Sequence, residues 1–270
     1  WHTVVDNVKL PVLSTMQTTD CDAYLLSESS LFVWSNRLLL ITCGRTKLVQ
    51  SILFLLSQLP VNSVRKLVFQ RQNEYFSHLQ YTSFTQDVEM LLHVVLGRVT
   101  ILGSMDSHYA HVFAVGHVDP KLEKQSYELS MYAISDDRSR QLSDPCVTKE
   151  QLRKLFGFAQ LLPEADIDDH LFEPHGYSVN ALCGGKYLIL HVTPEVDASY
   201  IGLKTNLPIA DWMAYLLPIF RPASFEVIIS NSPRNDESVL QIPRSYRCVQ
   251  SQRQRICGEW IQYVQYDWVG

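Results

Sequence analysis

Residues 24–32 combine three serines and a glutamate with apolar neighbours, in the order Tyr-Leu-Leu-Ser-Glu-Ser-Ser-Leu-Phe. A serine hydroxyl lies close to the carbonyl that precedes it, and it can attack that carbonyl where the backbone is strained and a base is near. The alternative interpretation is a turn or bulge in an edge strand, where exposed polar side chains are ordinary. Composition alone favours the turn or bulge.

Cys43 follows a short apolar run and precedes a glycine, in the sequence Ile-Thr-Cys-Gly over residues 41–44. A cysteine at the end of a strand is usually a small core residue. A thiol that solvent reaches could instead act as a general acid, because its ordinary pKa of about 8.5 keeps it mostly protonated near neutral pH. Both interpretations stay open from this motif alone.

Two later motifs place a hydroxyl and an imidazole at a spacing that suits a hairpin. Residues 172–180 read Phe-Glu-Pro-His-Gly-Tyr-Ser-Val-Asn, and residues 190–195 read Leu-His-Val-Thr-Pro-Glu. Ser178 and His191 are 13 residues apart, which is compatible with two neighbouring strands. That pairing would bring both side chains to one surface, although a lone histidine in a strand is more often a core residue with its hydrogen bonds satisfied.

The elements that must position these motifs are short strands and a few helices with one apolar face. The helix predicted at 208–217 is the clearest, because Ile209, Trp212 and Met213 recur at helical spacing and Pro218 is expected to end it. Further helices are predicted at 46–59, 85–95 and 149–161. Strands are predicted at 24–33, 38–43, 64–70, 176–182, 186–193, 199–204 and 225–230.

The order of these elements indicates the fold class. Many strands and few long crossover connections are typical of antiparallel sheets with helices on their outer faces, which is the α+β class. A strand pair, an amphipathic helix and an apolar strand occur near residues 38–70 and again near residues 186–230. This repeated order of elements predicts internally duplicated halves.

The composition excludes several classes of partner and site. Apolar residues make up 46% of the chain, and the net charge of −5 gives no reason to expect a nucleic acid or a membrane as partner. The six cysteines and nine histidines show no CxxC, HExxH or HxxxH spacing, so we expect neither a disulfide scaffold nor a metal. A cytoplasmic location is the simplest expectation. Because the chain starts with Trp1, a fragment or a processed product is expected.

Taken together and in this order, the four motifs resemble those of the eukaryotic-type S-adenosylmethionine decarboxylases. The matching patterns are YxLSESSxF, TCG, FxPxGYSxN and HxTPE, followed by Ser-Tyr at 199–200 and Thr-Asn at 205–206. The resemblance runs from Trp1 to at least Phe225. It implies two antiparallel β-sheets sandwiched between outer helices (αββα), in a single domain over residues 1–270.

The resemblance implies a precursor that cleaves itself between Glu28 and Ser29. The Ser29 hydroxyl would attack the Glu28 carbonyl, giving an oxyoxazolidine that Ser178 stabilises by hydrogen bonding, and then an ester. His191 would remove the Ser29 α-proton, and β-elimination would release the Glu28 carboxylate. Tautomerisation and loss of ammonia would leave a covalent pyruvoyl group. The products would be a small chain and a large chain, residues 1–28 and 29–270.

The resemblance also implies a decarboxylase of S-adenosylmethionine that supplies aminopropyl groups for spermidine and spermine synthesis. The pyruvoyl ketone would form a Schiff base with the substrate amine and stabilise the carbanion left by CO2, without pyridoxal phosphate or a metal. Cys43 would return a proton to the substrate carbon. Phe172 would stack on the adenine, Glu195 would accept the ribose hydroxyls and Leu26 would line the same site.

The sequence departs from the family pattern in three places. A segment like FFEGxEK, which carries a stacking aromatic and acidic residues in the family, is not found in the printed sequence, and His175 stands where animal members have cysteine. Lys124 and Lys204 stand where animal members have two acids that bind putrescine, whereas Glu128 is kept. Lysines buried among carboxylates would mimic the diamine, so we expect no need for putrescine. Solvated surface lysines are the alternative.

Two other functions stay open at this point. A non-catalytic regulatory paralogue that partners an active decarboxylase would typically lose the cleavage serine, but Ser29, Ser178 and His191 all persist. A pyruvoyl decarboxylase of another amino acid would not need Phe172 and Glu195. The assembly stays open between a monomer and a homodimer of self-cleaved chain pairs.

Overall fold

The computed structural model describes residues 11–27, 29–42, 46–60, 63–72, 77–122, 124–195, 198–232, 240 and 242–270. Within these ranges the chain forms fifteen strands and six α-helices, together with short 3-10 helices at Ser77–Leu79 and Pro120–Leu122. The α-helices are α1 (Leu48–Gln58), α2 (Phe84–Leu92), α3 (Asp136–Leu142), α4 (Lys149–Leu155), α5 (Phe158–Leu161) and α6 (Ile209–Phe220).

The strands form one large and two smaller antiparallel sheets. Their bounds are β1 (Val12–Gln17), β2 (Cys21–Leu26), β3 (Ser29–Trp34), β4 (Leu38–Thr42), β5 (Lys66–Gln72), β6 (Arg98–Gly103), β7 (Tyr109–Gly116), β8 (Ser126–Tyr132), β9 (Asp166–Leu171), β10 (Tyr177–Cys183), β11 (Lys186–Thr193), β12 (Tyr200–Thr205), β13 (Ser224–Ser230), β14 (Tyr246–Ile256) and β15 (Glu259–Trp268). The eight-stranded sheet has the order β14-β15-β13-β8-β12-β11-β10-β9. The four-stranded sheet is β1-β2-β3-β4, and the three-stranded sheet is β5-β7-β6.

The predicted duplication is visible in the order of the strands. In the first half, the meander β1 to β4 is followed by α1, by β5 and by the hairpin β6–β7. The second half repeats this order with the meander β9 to β12, α6, β13 and the hairpin β14–β15. In both halves the second strand of the last hairpin pairs with the strand that follows the helix. β8 lies between β12 and β13, whereas no described strand lies between β4 and β5.

Apolar clusters join these elements into the predicted αββα layers. Helices α3 to α6 cover one face of the eight-stranded sheet, and Trp212, Phe156 and Phe220 are among the buried residues there. The other face packs on both smaller sheets, through one cluster that contains Phe32 and another that contains Tyr263. Helices α1 and α2 cover the far face of the three-stranded sheet. The α+β class with antiparallel sheets is confirmed.

Three element predictions need correction. The strand predicted at 24–33 is a hairpin, because the chain turns between β2 and β3 and both strands are buried. The helix predicted at 149–161 breaks at Gly157, whose φ of 69° is left-handed. Pro218 lies inside α6 and does not end it. Its missing N–H removes one hydrogen bond near the end of the helix, and α6 ends at Arg221 in the left-handed region.

Candidate active site

His191 and Ser178 lie side by side, as their spacing predicts. β10 and β11 form a hairpin in which the two residues are Cα partners. Both are almost fully buried, with exposed fractions of 6% for Ser178 and 4% for His191. Burial lowers the pKa of His191 to about 4, so the imidazole is neutral near neutral pH and can accept a proton.

The four-stranded sheet supplies a serine to this histidine, and it is Ser30 and not Ser29. Ser30 Oγ lies 2.9 Å from His191 Nε2. Because neighbouring residues of a strand point to opposite faces, the Ser29 side chain lies on the outer face of this sheet. Leu26 and Leu31 are fully buried in the apolar cluster on that face. Sequence reasoning assigned no role to Ser30, and the only signal was the doublet of serines.

Ser29 is fully buried, and its hydroxyl has no hydrogen-bond partner within the described ranges. Its Cα partners are Leu26 on β2 and Thr42 on β4. A buried hydroxyl without a partner costs about 1–3 kcal/mol. Glu28 and Cys43 lie outside the described residues, although Thr42 directly precedes Cys43 in the chain.

Phe172 lies just past the end of β9, at the same end of the sheet as Ser178. Its ring is half-buried, and its backbone N–H donates to the Gly176 carbonyl at 2.9 Å. The ring centroid lies 4.6 Å from that of His170, with a tilted, edge-to-face geometry. His170 is the Cα partner of Ser178 on β9, and sequence reasoning missed it. His175, in the loop after Phe172, is exposed.

Glu195 carries an exposed carboxylate just after the end of β11, the strand that holds His191. Helix α3 anchors this turn, because the hydroxyls of Ser139 and Ser143 donate to the Pro194 carbonyl at 2.5 and 3.2 Å. The Glu195 carbonyl accepts the N–H of Ala198 at 3.0 Å. The backbone of the turn is therefore held while the Glu195 carboxylate is open to a ligand.

The comparison of sequences decides the family. A sequence model of adenosylmethionine decarboxylase matches residues 1–267. The chain belongs to that family. It is 31% identical to the S-adenosylmethionine decarboxylase proenzyme of Dictyostelium discoideum over 240 residues, which cover 83% of this chain and 62% of that protein. It is also 31% identical to the proenzyme of Drosophila melanogaster, over 85% of this chain and 74% of that protein. The chain thus spans less than two thirds of the Dictyostelium relative's length.

A solved structure supports the fold of this adenosylmethionine decarboxylase family member. The crystal structure of the Trypanosoma brucei AdoMetDC-delta26 monomer superposes with a TM-score of 0.67. The match covers 89% of this chain and 99% of that one, at 22% sequence identity. At this identity the likeness shows a shared fold.

Lys204 and Glu128, two of the predicted putrescine-site equivalents, form an ion pair between the β layers of the family fold. They are Cα partners on β12 and β8, and Gln70 of β5 donates to the second Glu128 oxygen at 3.0 Å. Burial alone would lower the pKa of Lys204, but the Glu128 carboxylate outweighs burial and raises it. Lys124 is exposed, so the expectation that it is buried among carboxylates is wrong. Lys204 is partly buried and pairs with one carboxylate, that of Glu128.

A second buried carboxyl group lies beside this pair. Glu226 on β13 accepts hydrogen bonds from Tyr132 at 2.9 Å, from Tyr263 at 2.6 Å and from Gln72 at 2.9 Å. Burial raises the pKa of Glu226 to about 7, because these hydrogen bonds offset only part of the loss of water and the Glu128 charge adds to it. The inner polar cluster therefore holds one lysine and two carboxyl groups.

Two other classes of feature are absent from the part of the chain that the structure describes. Its His, Cys, Asp and Glu side chains do not gather in threes as metal ligands would. None of its helices has the length and apolar character needed to cross a membrane.

Proposed function

We propose that this chain is a self-processing decarboxylase that acts on S-adenosylmethionine. The observation that carries the proposal is a fully buried Ser29 hydroxyl, without a partner among the described residues, next to a serine that contacts a buried, neutral His191. Ser178 lies beside that histidine. Membership of the adenosylmethionine decarboxylase family supports the same chemistry.

Self-cleavage would use four residues of this chain. Ser29 Oγ would attack the Glu28 carbonyl and convert the peptide bond into an ester, while Ser178 donates a hydrogen bond to the developing oxyanion. His191 would then remove the Ser29 α-proton. The bond between Cβ and Oγ of Ser29 would break, and the oxygen would leave as part of the Glu28 carboxylate. Because the Ser29 side chain lies on the outer face, its α-hydrogen leans towards the inner face, on the side of His191.

The residue left at the start of the large chain would become a covalent pyruvoyl group, after water replaces its nitrogen and ammonia leaves. Ser29 fits this outcome, because it is the first residue of β3 and its hydroxyl is buried without a partner within the described ranges. When formed, the group supplies a ketone that withdraws electrons as CO2 departs. We assign the proton returned to the substrate carbon to Cys43, which follows Thr42, the strand partner of Ser29.

The two products of cleavage, residues 1–28 and 29–270, would stay associated. The ladder between β2 and β3 pairs residues on both sides of the break, from Leu26 with Ser29 to Cys21 with Trp34. Cleavage at Ser29 removes the turn and leaves this ladder intact.

The substrate would lie at the end of the eight-stranded sheet where β9 leads into Phe172 and β11 leads into Glu195. The half-buried Phe172 ring offers an apolar face for adenine, and the exposed Glu195 carboxylate can accept two ribose hydroxyls. Leu26 would contribute through its backbone at the start of the turn, because its side chain is buried in the apolar cluster on the outer face of the four-stranded sheet. The decarboxylated product is the aminopropyl donor for spermidine and spermine synthesis.

Putrescine would not be needed, because the Lys204 ammonium already neutralises Glu128. Decarboxylation should therefore change less than about twofold when putrescine is added, whereas a Lys204→Gln variant should gain activity with the diamine. A large stimulation of the wild-type protein would refute this part of the proposal.

Mass spectrometry of the purified protein tests self-cleavage directly. The wild-type chain should give two fragments, the larger with a blocked N-terminus, whereas Ser29→Ala should stay intact. Ser27→Ala is the matched control in the same turn and should cleave. An intact wild-type chain, with no carbonyl that borohydride can link to an amine, would instead favour a non-catalytic role.

Substrate choice needs a separate assay. CO2 release should occur with S-adenosylmethionine and not with ornithine or arginine. Release from either amino acid at a comparable rate would contradict the assignment of Phe172 and Glu195 to adenosine binding.

A further inference from the structure

We propose that His170 is a positioning residue for substrate, which fixes the plane of the Phe172 ring so that this ring can stack on the adenine of a nucleoside sulfonium. The inference rests on the proposed function and adds to it a residue that none of the four sequence motifs contains.

The strand β9 places His170 on the face that looks towards the four-stranded sheet. Asp168 marks that face, because Ser14 of β1 donates to both of its carboxylate oxygens at 2.8 and 2.7 Å. Asp169 marks the opposite face, since its carboxylate accepts two hydrogen bonds from Arg153 of α4. His170 therefore shares the inner face with Asp168.

On this face His170, Ser178 and His191 form a row across three neighbouring strands. Ser178 is the Cα partner of His170 on one side and of His191 on the other. The reaction proposed above uses Ser178 and His191 but leaves His170 without a role. His170 thus lies beside the reacting groups and on the same side of the sheet.

The imidazole of His170 packs against the ring of Phe172. Its centroid lies 4.6 Å from that of Phe172, with 62° between the ring planes. Neither ring nitrogen has a hydrogen-bond partner among the residues that the structure describes, and the side chain is only half-buried. Edge-to-face pairs of this kind have a preferred geometry and add about 0.5–1.5 kcal/mol beyond the area that they bury.

The contact with His170 can fix the orientation of the Phe172 ring, which strand pairing does not fix because β9 ends at Leu171. The Phe172 backbone is held by the hydrogen bond to Gly176, but that bond does not fix the rotation of the ring. A stacked purine requires one ring plane, and every alternative rotamer of Phe172 lowers the fraction of protein that can bind. Packing against His170 selects one plane and so lowers the entropic cost of binding.

Two substitutions of His170 separate ring packing from hydrogen bonding. In a decarboxylation assay, His170→Ala should raise KM about two- to tenfold, while kcat and the rate of chain cleavage change less than about twofold. His170→Phe keeps an aromatic edge without a ring nitrogen and should restore most of the wild-type KM. His93→Ala, at the exposed end of α2, is the control histidine and should match the wild type.

Several outcomes would overturn the inference. An unchanged KM in His170→Ala would show that the contact does not matter, and a failure of His170→Phe to rescue would point to a ring nitrogen instead. Parallel losses of kcat and of chain cleavage would indicate general misfolding. If the wild-type protein itself releases no CO2, the proposed function fails and this inference fails with it. Activity in the wild type with an unaltered His170→Ala would refute the inference alone.

Discussion

Two adjacent serines of the first motif have different environments. Ser30 faces the eight-stranded sheet and contacts His191 at 2.9 Å, whereas the hydroxyl of Ser29 is buried without a described partner. Strand alternation alone produces this difference. Ser30 can hold the imidazole in place while the Ser29 hydroxyl stays available to react, and a single strand, β3, positions both.

The contact between Ser30 and His191 makes a testable prediction. Ser30→Ala should slow chain cleavage about threefold to tenfold, because the loss of one orienting hydrogen bond is worth about 0.5–1.5 kcal/mol. It should not abolish cleavage, since the Ser29 hydroxyl and the imidazole remain. A time course of fragment formation at constant temperature measures the rate.

Ser51→Ala is the matched control for this experiment. Ser51 is as deeply buried as Ser30, but it lies on α1 and its hydroxyl has no partner among the described residues. It should therefore cleave at the wild-type rate. Equal rates for Ser30→Ala and the wild type would show that His191 is held by other contacts.

The sequence predicted the residue types of the site better than their directions. The spacing of Ser178 and His191 predicted a hairpin, which is confirmed. The sequence could not show whether Ser29 or Ser30 faces the histidine. Both strands of the first hairpin are buried on both faces, so polar and apolar residues do not alternate in a way that would show which side chains point inward. His170 was missed because no strand was predicted over Asp166–Leu171, where three aspartates disfavour a strand.

At the scale of elements, a buried carboxylate clamps helix α4 to the site strands. Asp169 on β9 accepts two hydrogen bonds from Arg153 at 2.7 and 2.9 Å and one from Tyr177 at 2.7 Å. Burial would raise the pKa of Asp169, but these bonds outweigh burial and lower it. Since Tyr177 directly precedes Ser178, the clamp joins the helix layer to the strand that carries the site.

Asp169→Asn should destabilise the protein by about 1–2 kcal/mol, because the buried side chain loses its charge-assisted hydrogen bonds while Arg153, which is 46% exposed, keeps water around its own charge. The free energy of unfolding in urea measures this loss. Asp136→Asn removes an exposed carboxylate that lies 3.8 Å from Arg140 and should change stability by less than about 1 kcal/mol. Similar losses for both variants would contradict the clamp.

The boundaries of elements were harder to predict than their existence. The polar residues of the first motif favoured a turn or bulge, but the turn contains neither glycine, proline nor asparagine, so a single strand was predicted over residues 24–33. The helix predicted at 149–161 runs through Gly157, but the left-handed φ of this glycine separates α4 from α5. Both errors arise because tertiary packing, and not local propensity, decides where these elements end.

At the scale of the whole molecule, duplication was visible in the sequence only as a repeated order of elements. The strands of the two halves also pair in the same order within their sheets. The exception is β8, which lies between β12 and β13 and has no described counterpart between β4 and β5. The resemblance brought together Lys204 and Glu128 of the polar cluster between the layers, but it gave no indication of Gln70, Gln72 or Glu226. The cluster combines Gln70 and Gln72 of one half with Glu128, Lys204 and Glu226 of the other.

Two groups buried between the layers should make stability depend on pH in opposite senses. The folded pKa of His191, about 4, is below its ordinary value of 6.5, so the unfolded chain binds the extra proton between these values and stability falls as pH is lowered. The folded pKa of Glu226, about 7, is above its ordinary value of 4.5, so stability falls as pH is raised through that window. In the intact protein the two effects oppose each other.

Single substitutions should expose each effect, provided that chain cleavage does not differ between the proteins. We therefore place Glu226→Gln and His191→Gln separately in the Ser29→Ala background and measure the free energy of unfolding between about pH 5 and pH 7. Relative to Ser29→Ala alone, Glu226→Gln should make stability rise more steeply with pH, because only the histidine effect remains. His191→Gln should make it rise less, or fall, since the carboxyl effect is then unopposed. Parallel curves for the three proteins would show that neither group titrates as its burial requires.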